Sequence, residues 1–181
     1  LPPRWKWVIL PLHISAGMSV LVLSGLRVVW RLLHAPPEHV PPLRPLEAKA
    51  SHLAHFLLYV GMVLMPLTGW AILSAHPAPG TEGYAAERAQ FAQLPPDKQP
   101  PPGGGLKVWY LIPLPAISII ERVGETAGGL APQDMLHDEF VEWHALGAWT
   151  MILLLLSHVA GALKHQFIDR QPSLQRMSLR R

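Results

Sequence analysis

Two histidines, His144 and His158, sit in the run WHALGAWTMILLLLSHVAGAL, where the 21 residues from Trp143 to Leu163 include no Asp, Glu, Lys or Arg. An imidazole in hydrocarbon is expensive and marks a functional position by default. Fourteen positions separate the pair, which on a helix puts the rings within roughly 40° of one face and ~21 Å apart along it. Neutral imidazole is a strong axial ligand for haem iron, and facing helices of a bundle can supply two such ligands. Two histidines on one face, at two depths, suit two stacked haems. Gly147 and Gly161 each follow their histidine by three positions and leave room beside it for a flat macrocycle. The plainer alternative is a buried hydrogen bond between helices for each ring.

A helix of this length crosses a bilayer, and two more stretches can do the same. Trp7 to Leu26 gives 20 uncharged residues, closed by Arg27 and Arg31. It carries His13 with Gly17 one turn on, repeating the histidine and small-residue pattern. Lys49 and Glu82 bracket 32 uncharged residues, of which Ser51 to Ala75 is the second span, bent or ended near Pro66 and Gly69. His52 and His55 stand at its start on one face. An interfacial role is the simpler reading for both, with iron ligation and a quinone contact as alternatives. The expectation is an all-α membrane protein, an up-down bundle with three spans in this chain.

Between the spans lie His34 to Pro45, a proline-rich loop in which His34 and His39 are solvated, and a long insertion over residues 77–142. Its first part, Pro77 to Gly105 with the run QPPPGGG, reads as a flexible extramembrane segment. Val108 to Ile120 is too short to span and broken by Pro113 and Pro115, so an interfacial segment over 108–120 is expected, anchored by Trp109 and Tyr110. His76 and His137 fall in extramembrane segments and read as solvent-exposed. Met62, Met65 and Met151 read as packing residues, although methionine can ligate haem.

Composition narrows the chemistry. With 181 residues, 50% hydrophobic and 15% charged, the whole chain 1–181 reads as one membrane domain. The net charge of +3 comes from residues flanking apolar runs, so membrane topology explains it and a nucleic-acid partner is not expected. The absence of cysteine excludes thioether-attached haem, thiolate ligation and cysteine-bound iron–sulfur clusters. Any haem is held non-covalently, as haem b is. Membrane lipid is the first partner.

Arg27, Arg31, Arg44 and Lys49 outweigh two acids in the first loop, and Lys164, Arg170, Arg176, Arg180 and Arg181 outweigh Asp169 in the tail, whereas residues 82–142 hold nine acids against four bases. The positive-inside rule then puts the first loop and the C-terminus in the cytoplasm and the loop 77–142 in the periplasm. His13 and His144 fall in the same leaflet and can share one haem. His158 lies near the other face. Its second ligand is His52, His55, or a residue outside this chain.

LHISAG at Leu12 to Gly17, VVWRLLHAPP at Val28 to Pro37, SHLAHFLLYVGMVLMPLTGW at Ser51 to Trp70, VWYLIPLP at Val108 to Pro115 and WHALGAWTMILLLLSHVAGALKHQFIDR at Trp143 to Arg170 together resemble the bacterial two-haem cytochrome b561 family. The resemblance covers nearly the whole chain. It implies a four-helix bundle in the bacterial inner membrane that holds two b-type haems and passes electrons between quinones and other partners. It implies that His13 and His144 bind one haem. His158 would bind the other together with a histidine in a helix that precedes the first span here. The resemblance thus implies that the chain begins at the loop before the family's second helix.

On this reading His165, two turns beyond His158, is an interfacial residue or touches a haem propionate. Arg27, Arg31 and Lys164 either pair with propionates or anchor the topology. The expected function is transmembrane electron transfer through two b-type haems, linked to quinone. A haem-bearing anchor subunit of a larger respiratory or dehydrogenase complex is the alternative, so a redox protein or a second copy of the chain are candidate partners. Quinone reduction by a small reductant such as superoxide rests on the resemblance alone. A histidine-lined metal transporter is the third reading, disfavoured because the spans lack carboxylates.

Overall fold

The computed structural model describes residues 3–34, 45–95 and 107–168. His39, Arg44, the QPPPGGG run and the basic tail beyond Ile168 fall outside them. Three long helices dominate: α1 (Pro3–Leu33), α2 (Pro45–Ser74) and, after the intervening elements, a third of 34 residues from Leu130 to Leu163. All three are long and apolar enough to cross a membrane. Leu23, Leu26, Trp30, Leu146, Trp149 and Leu153 point outward and are more than half exposed. Such a surface is stable against lipid, not water.

Between α2 and the last long helix come α3 (Glu82–Phe91), a hairpin of β1 (Lys107–Val108) and β2 (Ile112–Pro113), and the single turn α4 (Ser118–Glu121). The third long helix is therefore α5. It starts 13 residues ahead of the apolar run, through the acidic stretch expected to be loop, and is followed by a π-helical turn over Lys164–Ile168. α3 occupies part of the segment expected to be flexible. Thr81 caps it by accepting the Tyr84 N–H at 3.2 Å, a standard N-terminal signal. Pro66 lies inside α2 and does not end it. Prolines are tolerated in membrane helices where neighbours satisfy the freed carbonyl.

α2 packs against both other long helices, and its register with α5 is antiparallel. A Cβ on Gly61 would strike the Met151 thioether, and one on Gly147 would strike that of Met65. Each glycine accepts the other helix's methionine, which brings the two backbones close. Met65 and Met151 are thus packing residues as expected. The space beside Gly147 is filled by Met65 rather than left open. Further along the same seam Lys164 pairs with Glu47 at 3.0 Å.

The hairpin and the segment after it close one end of the bundle. Val108 to Leu111 is a turn, with a Leu111 N–H to Val108 carbonyl bond of 3.1 Å. Its central residues, Trp109 and Tyr110, have φ of 52° and 60°, as a type I′ turn requires and as bulky residues resist. Serines hold the cap in place. Ser15 Oγ donates to the Pro11 carbonyl at 2.7 Å and accepts the Trp109 N–H at 2.7 Å, while Ser19 Oγ accepts the indole N–H of Trp109 at 3.0 Å. On α2, Ser74 Oγ donates to the Trp70 carbonyl at 2.8 Å and accepts the Ile117 N–H at 2.9 Å. Trp109 is therefore a clamp on α1. Ser15 is completely buried, so Ser15→Ala removes the acceptor of the part-buried Trp109 N–H and is expected to destabilise by about 1 kcal/mol. An unchanged midpoint of thermal unfolding in detergent would contradict the clamp.

Candidate functional site

At the capped end, α1 and α5 bring His13 and His144 together, with ring centres 5.9 Å apart and planes at 84°. An ion held between two imidazoles by bonds of ~2 Å sets ring centres roughly 6 Å apart. The spacing fits. α2 contributes what the sequence did not reveal. Thr68 Oγ1 donates its one proton to the Met65 carbonyl at 2.9 Å, so toward His144 Nδ1, also at 2.9 Å, it can only accept. Nδ1 of His144 therefore carries the proton, and Nε2 keeps the lone pair a metal needs. Gly69 completes the seat: a Cβ there would come to 3.2 Å from the imidazole Cε1.

Farther along α5, His158 faces His55 of α2 with ring centres 5.0 Å apart at 68°. Of the two histidines at the start of α2, His55 is the one against His158. This separation is about an ångström shorter than that of two imidazoles on opposite sides of one iron. His144 and His158 are half-buried, while His13 and His55 keep exposed edges. Gly17 and Gly161 have nothing within 4 Å of where a Cβ would be, so the space expected beside these two glycines is open.

Between the two imidazole pairs lies a cleft of about 450 Å³, lined by His55, Leu58, Met62, Met151 and Leu155 and reached by Arg27 and Tyr59. Arg27 Nε donates to Tyr59 Oη at 2.8 Å, and the guanidinium lies 5.7 Å from the ring centre. An apolar cleft with one cation at its margin suits a flat apolar group bearing carboxylates. Arg31 stands in the last turn of α1, and His165 in the π-helical turn after α5. Lys164 reaches Glu47, so an acid of this chain already engages the ammonium offered to a propionate. His34 stacks on Trp30 at 3.7 Å and remains exposed.

Membrane-crossing helices that bring imidazoles together between them, in a chain without cysteine, fit a membrane-bound b-type cytochrome. The chain belongs to the prokaryotic cytochrome b561 family, whose sequence profile matches residues 1–178. Cytochrome b561 homolog 2 of Escherichia coli (strain K12) is 25% identical over 166 residues, which cover 92% of this chain and 68% of that protein. Cytochrome b561 homolog 1 of the same strain is 24% identical over 169 residues, covering 93% and 74%. A probable superoxide oxidase CybB of Yersinia pestis is 32% identical over 62 residues, 34% of this chain and 35% of that protein. No solved structure matches the chain significantly. Membership carries b-type haem, haem-based electron transfer and a multi-pass place in a bacterial membrane.

Proposed function

We propose that this chain is a quinone-linked, two-haem electron carrier of the bacterial inner membrane. The observation that carries the reading is the His13–His144 pair, spaced 5.9 Å apart with one ring's tautomer set by Thr68. These two histidines hold one haem. His158 holds the second, and the short His55–His158 separation supports a second ligand other than His55, as the family resemblance implies. Bound haem supplies a one-electron centre whose potential follows its axial ligands, burial and neighbouring charge.

The protein's own groups then have defined work. Thr68 keeps His144 Nε2 unprotonated. Arg27, beside Tyr59 at the cleft, favours anionic groups there, and Arg31 and His165 lie near the same membrane face. The basic first loop and tail favour a cytoplasmic C-terminus with the 77–142 region in the periplasm. The chain acts as one unit.

Superoxide as the electron donor is supported only by the short stretch shared with the Yersinia pestis protein. Quinol linkage is tested directly. In detergent, a short-chain quinol should reduce most of the b-type absorbance that dithionite reduces, within seconds to minutes. Reduction by dithionite alone, with none by quinol, would sink the quinone assignment.

A further inference from the structure

A third imidazole pair lies at the capped end, away from the cleft and the two pairs along α5. His76 follows α2, His137 lies two turns into α5, and their ring centres are 5.6 Å apart with planes at 57°. Each ring turns its Nδ1 to a carboxylate: His76 to Glu87 of α3 at 2.9 Å, and His137 to Asp138 at 3.3 Å. An ionised carboxylate only accepts, so each Nδ1 donates to its carboxylate and Nε2 is the nitrogen left for a metal in the neutral ring. Carboxylate–imidazole couples of this kind fix the ring and raise its basicity toward a metal. The Glu87 side chain is 15% exposed and that of His76 is 51% exposed. The carboxylate that orients His76 is thus anchored while the ring stays accessible, whereas the Asp138 side chain is 82% exposed.

We propose that His76 and His137 form a binding site for a divalent transition-metal ion of the zinc and copper class, taken by the Nε2 atoms of both rings, with Glu87 and Asp138 orienting them. Such ions prefer imidazole, and no cysteine competes for them in this chain. Among the described residues no group of three or more His, Cys, Asp or Glu side chains is placed to hold a metal ion, so the protein supplies two ligands here. Water therefore fills the remaining positions and the ion exchanges readily. The rings come from the segment after α2 and from α5, and Glu87 from α3, so a bound ion ties α3 and the end of α2 to α5.

Copper(II) titrated into the purified full chain, read by electron paramagnetic resonance, tests the site. One equivalent should bind with coupling to two imidazole nitrogens. His76→Gln and His137→Gln should each reduce this to one nitrogen and weaken binding at least tenfold, with helix content by circular dichroism unchanged. Glu87→Gln leaves both rings in place and should weaken binding by about 10–100-fold. Zinc should compete for the site only in excess, because copper(II) binds imidazole more tightly. A folded wild-type protein that binds no equivalent overturns the proposal, as does a copper signal unaltered in the His76→Gln, His137→Gln double variant or an affinity indifferent to Glu87→Gln.

Discussion

Replacing His13 with alanine is expected to remove one haem and spare the other, and replacing His144 should remove the same one. The two rings come from α1 and α5 and meet at 5.9 Å, so neither alone supplies both axial positions. Pyridine haemochrome quantification should fall by about one haem per chain in either variant. The double variant should lose no more than each single one. The helices should persist, because membrane burial and the Gly–Met seam between α2 and α5 do not involve these imidazoles. Loss of spectrally different haems from the two variants would contradict a shared site.

At the other depth the effects should be unequal. His158→Ala is expected to abolish the second haem, whereas His55→Ala should retain it with a shifted spectrum or potential. The reason is distance. The His55 and His158 rings stand 5.0 Å apart, and opening them by about an ångström would disturb a helix pair already seated on reciprocal glycines. His55 also borders the cleft, which gives it influence on an occupant without ligation. If His55→Ala loses the haem as completely as His158→Ala, the two are the ligand pair and the helices adjust around the iron.

The membrane helices were legible because hydrocarbon demands long uncharged runs, and their charged flanks are as visible as the runs. The depth argument that matched His13 to His144 follows from the same runs. Cross-helix register is a different matter. Nothing in the sequence says that Thr68 comes opposite His144, or that Met65 fills the space beside Gly147, since either depends on how α2 slides along α5. The hairpin was hidden because its turn uses Trp109 and Tyr110 at positive φ instead of Asn or Gly. Its cost is met by tertiary bonds to Ser15 and Ser19. α3 carried a readable start in Thr81 and Glu82, masked by the surrounding Pro and Gly. The His76–His137 contact joins residues 61 positions apart, and helix periodicity does not reach that far.

The central claim is that imidazoles paired inside this bundle hold iron porphyrin, and a reduced-minus-oxidised absorption spectrum of the purified, folded chain with pyridine haemochrome quantification tests it most directly. The account predicts b-type bands and about two haems per chain when the inner site has its second ligand. A helical, monodisperse protein that is colourless and takes up no added haem would contradict it.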